Sequence, residues 1–496
     1  MSDTERTPPA PTFPDARTRR LVRDALASAR YREATLRELL RIPRGIDVAG
    51  LDAGLLRHRV RGVTEPLGPL LALFLVGLDV ATERARESLG TQTLDAFRAS
   101  RLVTTEGDRA HATVRLLPIA DLVIACDRVE RHRAREADFV LGPGGVTRRL
   151  ADFTMRRPVE SVLDLGSGAG VLGALAASHA QRVVATDVSV RAVAFSQFTA
   201  ELNDIEHMEC RSGSLFDPVA DEQFDLILCN PPYVISPKST FVYRDGGTEV
   251  CRAIVRDAAK HLTASGWLEM VVDWPERADE DWRADVRGWF DDACCDAWVL
   301  RLYSTDAATY ASLWLGQEYQ PGIAPDHVFD EWSEYFARMD VRTVGGGVIV
   351  LRRSQGTRPH IELRDAPLIA DGPAGESLSS WLDAQDFVAS LRDDAELLDL
   401  VLVPSPDMER RDRQQPTGDG WSGALPQLQL RSGFRFGARV DLIAAELVGL
   451  LDGRRTPRAA VGVFAQQLNV PPEPLMRALP EALRRLVTLG LLIPVR

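Results

Sequence analysis

The sequence has few of the features that mark secreted, membrane or metal-binding proteins. None of its six cysteines forms the Cys-x-x-Cys pair from which zinc sites are built. No apolar run approaches the roughly 20 residues that a membrane-spanning helix needs. The opening stretch MSDTERTPPAPTF is polar and proline-rich, without the apolar core of a signal peptide. We therefore expect a cytoplasmic protein with no metal site and no membrane association.

Positive charge is also scarce. The 59 Lys and Arg residues are outnumbered by 71 Asp and Glu residues, and the net charge is -12. This balance disfavours a protein that coats nucleic acid through its overall charge, although it is compatible with a local basic patch. With 45% hydrophobic and 26% charged residues, the chain has the composition of a globular protein.

The length of 496 residues predicts about two to four domains, and composition divides the chain into five segments. These are a disordered lead-in (1–13), an N-terminal helical, winged-helix-like domain (14–128), an α/β domain (129–355), an irregular linker region (356–432) with a flexible loop at 404–423, and a C-terminal helical, winged-helix-like domain (433–496). The N-terminal domain ends in a predicted hairpin that turns at Glu106-Gly107-Asp108 and returns along TVRLL.

The segment 129–355 alternates between strand-like and helix-like stretches. Apolar runs such as SVLDL, RVVATD, FDLILCN and WLEMVVDW are separated by helical stretches. This alternation predicts an α/β fold with an open, mostly parallel sheet and helices on both faces. An aromatic insertion (305–342) lies between the last two strands, and we expect it either to shape a substrate cleft or to form a small core of its own.

A glycine-rich turn follows the first predicted strand of the α/β domain. In DLGSGAG, the residues Gly166, Gly168 and Gly170 permit unusual backbone angles and the close approach of a ligand. Asp187 ends the next strand, where a carboxylate can accept both hydroxyls of a ribose. The two features together predict an adenosine-containing cofactor.

Two residues bear on whether this turn binds a dinucleotide. Asp164 directly precedes the turn, and a carboxylate there suits a ligand with a cationic amino group better than a pyrophosphate. Gly173 completes a G-x-G-x-x-G pattern with Gly168 and Gly170. We interpret that pattern as a coincidence of register and expect Gly173 only to pack the helix.

A second motif, Asn230-Pro231-Pro232-Tyr233, follows the strand FDLILC at the carboxyl edge of the predicted sheet. The prolines carry no N–H, so this NPPY loop presents acceptors, namely the Asn230 amide oxygen and the Pro231 carbonyl. Such a pair suits a planar –NH2 group, and Tyr233 can stack on a flat amide or base. The alternative is a simple strand-terminating turn, which the preceding glycine turn and Asp187 disfavour.

DLGSGAG, ATD and NPPY, in this order, resemble the class I S-adenosylmethionine-dependent methyltransferases of the branch that methylates amide or exocyclic nitrogens. The resemblance extends over about 200 residues and is strongest to the release-factor glutamine methyltransferases, whose NPPY-V-x-x-P motif also precedes a glycine-rich segment, a helix and a strand. Small-domain ribosomal RNA guanine methyltransferases share the glycine turn and Asn-Pro-Pro. The resemblance implies a Rossmann-like sheet with an antiparallel last strand, and S-adenosyl-L-methionine as the cofactor.

The resemblance also implies roles for individual residues. The cofactor-binding residues are expected to be Asp164, Gly166, Ser167, Gly168, Gly170, Asp187, Val188, Ser214, Leu215, Phe216 and Asn230, and the catalytic residues Asn230, Pro231, Pro232 and Tyr233. Ser214 stands where the family often has an Asp bonded to adenine, so either Ser214 with its neighbouring backbone or Asp217 is expected to serve there. Upstream, Thr147 is expected to close over the methionine end of the cofactor together with Gly142, Gly144 and Gly145, with a plain domain linker as the alternative.

Three functions are compatible with these motifs. The first is methylation of a glutamine side chain of a protein, such as a translation factor, which the NPPYVxxP likeness favours. The second is methylation of a nucleobase amine of RNA or DNA, which the winged-helix-like flanking domains favour. The third is an inactive, cofactor-binding regulator of nucleic acid, which the intact NPPY motif disfavours.

Overall fold

The computed structural model describes residues 9–43, 51–64, 66–133, 136–237, 244–245, 248–278, 280–319, 324–354, 359–366, 374–412, 414–417, 420–423 and 425–495. The chain divides into two compact units, one of residues 1–151 and 157–364 and the other of residues 152–156 and 365–496. Among the helices in these ranges, none is long and apolar enough to cross a membrane.

The first unit begins with short helices and two β-hairpins. The helices are α1 (Ala16–Ser28), α2 (Glu33–Leu39), α3 (Ala53–Val60), α4 (Leu67–Leu70), a π-helix (Leu71–Val76), α5 (Thr82–Leu89) and α6 (Thr91–Ala99). The strands are β1 (Val80–Ala81), β2 (Val103–Glu106), β3 (Arg109–Ala112), β4 (Arg115–Ile119) and β5 (Leu122–Cys126). Helices α7 (Val129–Arg133) and α8 (Gly145–Phe153) lead to the large sheet.

The predicted return strand of the first hairpin is wrong. Glu106 pairs directly with Arg109 across the two-residue turn, so the return strand is β3. Gly107 has a φ of 59°, which suits this tight turn. TVRLL instead starts a second hairpin, in which β4 pairs with β5. A two-residue turn leaves no room for the longer connection that the prediction assumed.

The N-terminal part and the α/β part share one hydrophobic core. Buried residues of α1, such as Val22 and Leu26, belong to the same cluster as Phe195 and Phe198 of the α/β part. Phe13 stacks on Phe198 with ring centroids 4.5 Å apart. The end of the predicted disordered lead-in is therefore packed, whereas its residues 1–8 lie outside the described residues.

Eight strands form the central sheet. They are β6 (Val159–Leu165), β7 (Ala180–Asp187), β8 (Met208–Ser212), β9 (Phe224–Cys229), β12 (Leu262–Arg277), β13 (Cys295–Asp306), β14 (Val341–Arg353) and β15 (Ile361–Asp365). A separate short pair consists of β10 (Val234–Ile235) and β11 (Arg244–Asp245). The sheet order is β15-β13-β14-β12-β9-β6-β7-β8.

The sheet is parallel from β8 to β12, and β14 runs antiparallel to both of its neighbours. The associated helices are α9 (Val171–Ala176), α10 (Val190–Leu202), α11 (Glu249–His261), α12 (Trp282–Arg287), α13 (Ala307–Glu318) and α14 (Asp326–Arg338). The predicted Rossmann-like α/β fold is confirmed, and β14, the last strand that the sequence predicted, is antiparallel as expected. In this order β6 and β9 are adjacent, so the glycine turn and the NPPY loop leave the same edge of the sheet.

The second unit contains regular structure where an irregular region was predicted. Its helices are α15 (Gly375–Ser390), α16 (Asp394–Asp399), α17 (Leu442–Gly449), α18 (Pro457–Leu468) and α19 (Glu473–Thr488). Its strands are β16 (Leu402–Pro404), β17 (Met408–Arg411), β18 (Gln414–Thr417), β19 (Gly420–Gly423), β20 (Gln427–Leu430), β21 (Gly437–Arg439) and β22 (Leu492–Pro494).

The prediction of an irregular region at 356–432 is wrong, because apolar residues between its proline-rich and glycine-rich stretches build helices and strands. Helix α15 buries Leu378, Trp381 and Leu382 at helical spacing. The Trp381 ring lies 5.2 Å from that of Phe436. In the predicted loop 404–423, the described residues form β17 and the β18–β19 hairpin. This unit therefore has a core of its own.

Candidate active site

The glycine-rich turn connects β6 to α9 and faces open space. Gly166 and Gly168 have φ values of 74° and 54°, in the left-handed region that favours glycine. A Cβ atom at either position would meet nothing within 4 Å. At Gly170 a Cβ atom would instead lie 3.0 Å from Ser196 Cα. The first two glycines therefore leave room for a ligand, and the third seats α9 against α10.

Asp187 ends β7 beside this turn and is fixed by backbone donors. Its Oδ2 accepts from the Gly168 N–H at 2.9 Å and its Oδ1 accepts from the Ser189 N–H at 2.8 Å. Burial raises the pKa of this carboxyl, and the two N–H groups oppose that rise. Each oxygen keeps a second lone pair, so the carboxylate is held in place and can still accept two hydroxyl groups.

Asp164 is a buried carboxyl group within β6, and its side chain is 1% exposed. Its Oδ2 accepts from the Gly173 N–H at 2.7 Å, and a Cβ atom at Gly173 would lie 3.1 Å from the same oxygen. The Gly173 N–H thus holds the Asp164 carboxyl group, a role beyond the helix packing that we expected of this glycine. Burial raises the pKa of Asp164 to about 7. A cation placed beside the carboxyl would favour its ionised form.

Asn230 directly follows β9 and is oriented by α8. Its Nδ2 donates to Thr147 Oγ1 at 3.1 Å. Its Oδ1 is buried and has no hydrogen-bond partner among the residues that the structure describes. A buried carbonyl without a donor is unfavourable by about 1–3 kcal/mol. The side chain is therefore an oriented acceptor that lacks a donor.

These groups converge on one cavity of about 360 Å³ in the first unit. The predicted site residues that line it are Asp164, Gly166, Ser167, Gly168, Asp187, Val188, Ser214, Leu215, Asn230, Pro231 and Pro232. Residues from the segment before β6 also line it, among them Val140, Gly142 and Thr147. The glycine turn, Asp187 and the NPPY loop thus face one space, although they are distant in sequence.

Three predicted site residues do not line the cavity, namely Gly170, Phe216 and Tyr233. Phe216 stacks on His261, with ring centroids 4.3 Å apart, so the His261 ring covers one face of the Phe216 ring. Tyr233 is 7% exposed and lies edge-on to Trp314, with centroids 6.0 Å apart. The adenine-side alternative Asp217 begins a 3-10 helix and is also absent from the lining, whereas Ser214 is present.

A buried carboxylate that the motifs did not reveal anchors the segment before β6. Asp127 follows β5, and its Oδ2 accepts from the Val140 N–H at 2.9 Å. Arg131 and Arg191 both donate to it at 2.6 Å. The segment that carries Val140 is thus tied to α10. A lone Asp after the apolar run LVIAC was the available sequence signal, but its partners are distant in sequence.

No group of three or more His, Cys, Asp or Glu side chains that could hold a metal ion occurs in the described part of the chain.

Residues 147–281 match the family model of the methyltransferase small domain, and residues 379–494 match that of a domain of unknown function. A release factor glutamine methyltransferase of Xylella fastidiosa is 30% identical over 132 residues, which are 24% of this chain and 48% of the relative. A ribosomal protein uL3 glutamine methyltransferase of Bradyrhizobium diazoefficiens is 37% identical over 126 residues, or 22% of this chain and 40% of the relative.

A ribosomal RNA small subunit methyltransferase C of Cronobacter sakazakii is 35% identical over 125 residues, which are 24% of this chain and 34% of the relative. The chain thus spans about half or less of the length of these curated relatives. The ribosomal protein L11 methylase from Lactobacillus delbrueckii subsp. bulgaricus is a solved structure with 18% identity and a TM-score of 0.27, covering 44% of this chain and 81% of its own. The predicted resemblance to methyltransferases is confirmed by the family model and these sequence relatives.

Proposed function

We propose that the chain is an S-adenosyl-L-methionine-dependent N-methyltransferase whose acceptor is the side-chain amide of a protein glutamine. The observation that carries this proposal is Asn230, whose buried Oδ1 lacks a donor while its Nδ2 is held by Thr147. A primary amide of the acceptor would supply the missing N–H. Two of the relatives are named as glutamine methyltransferases, of a release factor and of uL3.

The cavity residues fit the proposed cofactor. Asp187 offers lone pairs for two ribose hydroxyls, and the open space at Gly166 and Gly168 admits a ligand close to the backbone. Burial raises the pKa of Asp164, and a cationic amino group bound beside it would lower that pKa and hold the carboxyl group ionised. Ser214 and Leu215 line the same cavity and would face the adenine of the cofactor. The sulfonium of the cofactor supplies a methyl group that is already activated.

The chain's own contribution is then orientation and exclusion of water. Asn230 Oδ1 and the Pro231 carbonyl would accept the two N–H groups of the acceptor amide, which aims its nitrogen lone pair into the cavity. As the nitrogen gains the methyl group, its N–H groups become more positive, and the two acceptors stabilise that charge. Holding the reacting groups in line is worth several kcal/mol. The nitrogen–carbon bond forms as the sulfur–carbon bond of the sulfonium breaks, and the methylated nitrogen then releases one proton to solvent.

A nucleobase amine is the second candidate acceptor, and the likeness to ribosomal RNA small subunit methyltransferase C favours it. The same two acceptor oxygens would bind an exocyclic amine. Base stacking on the NPPY loop, however, needs an open aromatic face. Tyr233 is 7% exposed and packed against Trp314, which favours the smaller amide. We place either reaction in the cytoplasm, where the six free cysteines would stay reduced.

The test adds the purified protein, with S-adenosyl-L-methionine that carries tritium in its methyl group, to an extract of cells that lack this gene. The measurement is the tritium that becomes attached to macromolecules of the extract. The proposal predicts label that survives RNase and is lost on protease treatment. Label that is lost on RNase treatment would establish the nucleobase alternative. The absence of any transfer, with the cofactor bound normally, would support the inactive regulator.

A further inference from the structure

The aromatic insertion supports the NPPY loop from behind. The Ile235 N–H, two residues after Tyr233, donates to Tyr310 Oη at 3.3 Å. Tyr310 belongs to α13 and is buried. Trp314 lies four residues further along and hence on the same helix face, and it contacts the Tyr233 ring. One face of α13 thus contacts both the aromatic residue of the loop and the backbone that leaves it.

A buried carboxylate fixes the direction of the Tyr310 hydroxyl. Asp273 lies in β12 and is 3% exposed. Its Oδ2 accepts from Tyr310 Oη at 2.7 Å, and its Oδ1 accepts from Tyr303 Oη at 2.5 Å. A tyrosine hydroxyl has one hydrogen. Because that hydrogen is directed at Asp273, the lone pairs of Tyr310 Oη remain for the Ile235 N–H.

This arrangement accounts for the central residue of a run of three glycines. Gly345, Gly346 and Gly347 lie in the middle of β14, where glycine weakens a strand. A methyl group on Gly346 would collide with the Tyr303 ring and with Asp273 Oδ1. The absence of a side chain at Gly346 therefore leaves the space in which the Tyr303 hydroxyl reaches Asp273.

We propose that Asp273 and Tyr310 are positioning residues for the NPPY loop. They hold the backbone at Ile235, and with it the direction in which Asn230 presents its amide oxygen. Neither residue lines the cavity, so neither touches the reacting atoms. The inference rests on the proposed function for what the loop does, but the contacts themselves can be tested without turnover.

The first test is hydrogen–deuterium exchange over residues 230–236 in the full chain. Tyr310→Phe removes the acceptor of the Ile235 N–H, so exchange there should be about tenfold faster. Asp273→Asn should act in the same direction. Tyr31→Phe is the matched control, because it removes a buried tyrosine hydroxyl that donates to the Leu116 carbonyl at 2.8 Å, away from the loop. Unchanged exchange in Tyr310→Phe, or an equal acceleration in Tyr31→Phe, would overturn the proposal.

The second test separates positioning from general stability. In Tyr310→Phe the initial rate of methyl transfer at saturating S-adenosyl-L-methionine should fall about tenfold, while the Kd for S-adenosylhomocysteine stays at the wild-type value. Because Asp273 acts through Tyr310, adding Asp273→Asn to Tyr310→Phe should not slow transfer beyond the rate of Tyr310→Phe alone. Additive losses, or a matching loss in Tyr31→Phe, would contradict the proposal. If the wild type transfers no methyl group, the proposed function fails, and the exchange experiment still decides the positioning role.

Discussion

Replacing Asn230 with alanine should separate stability from catalysis. The unpartnered, buried Asn230 Oδ1 is unfavourable by about 1–3 kcal/mol, and the hydrogen bond from Nδ2 to Thr147 Oγ1 is worth about 1 kcal/mol. The alanine variant is relieved of the unfavourable contribution and loses the favourable hydrogen bond, so its free energy of unfolding should be unchanged or higher by up to about 2 kcal/mol. In the transition state, by contrast, the variant lacks an oriented acceptor. Loss of one such group typically lowers kcat by about 10²–10³, or roughly 2.7–4 kcal/mol.

The assay combines thermal unfolding, calorimetric binding of S-adenosylhomocysteine and the rate of tritium transfer. Asn230→Ala should bind the ligand nearly as well as wild type, because Asp164, Asp187 and the glycine turn are unchanged.

Asn203→Ala is the matched control. The Asn203 side chain is fully bonded, with its Oδ1 accepting from the Val123 N–H and its Nδ2 donating to the Val123 and Thr199 carbonyls, each at 2.8 Å. That variant should lose about 1–3 kcal/mol of stability and keep its rate. If Asn230→Ala keeps the wild-type rate, or loses as much stability as Asn203→Ala, Asn230 is not an oriented acceptor that lacks a donor.

Three further predictions concern the same cavity. Thr147→Val removes the oxygen that holds Asn230 Nδ2, so the transfer rate should fall about tenfold at an unchanged Kd for S-adenosylhomocysteine; an unchanged rate would show that Thr147 does not orient the amide. Asp164, whose pKa burial raises to about 7, must be ionised to hold an amino cation, so affinity should increase with pH. Calorimetry should show roughly tenfold weaker binding at about pH 6 than at about pH 8, and Asp164→Asn should bind weakly with a flat profile; a wild-type profile in that variant would exclude this role. Gly168→Ala has open space for its methyl group but forces alanine to a φ of 54°, so the variant should lose about 1 kcal/mol of stability. It should also bind S-adenosylhomocysteine more weakly, which thermal unfolding with and without this ligand would measure. Full affinity would contradict a ligand near the Gly168 Cα.

The sequence predicted those features whose chemistry is local. The strand and tight turn at Gly166 and the acidic end of the next strand at Asp187 depend on neighbours in the chain, and the adjacent parallel strands β6 and β7 bring them to one edge of the sheet. The NPPY loop was predictable for the same reason, since two prolines must end a strand and remove its donors. The expectation that Phe216 binds the cofactor did not anticipate His261, which lies 45 residues further along the chain and stacks on the Phe216 ring.

Features that depend on long-range contacts could not be predicted in this way. Asp127 looks like any residue at a strand end until Arg191 and Val140 are found beside it. The pairing of Asp273 with Tyr310 crosses from a strand to the insertion, so no local pattern marks it. Glycine run 345–347 was a usable signal, because three glycines within one strand demand close neighbours.

Under the proposed function, Asn230 presents its amide oxygen to a planar nitrogen of a protein side chain, which receives the methyl group of the cofactor. The most direct measurement is tandem mass spectrometry of the labelled acceptor after reaction with deuterium-labelled S-adenosyl-L-methionine. We predict one labelled methyl group on the amide nitrogen of a glutamine, formed by wild type and by Asn203→Ala but not by Asn230→Ala. A labelled methyl group on a nucleobase would contradict glutamine as the acceptor, and the same product formed at full rate by Asn230→Ala would contradict the proposed role of Asn230.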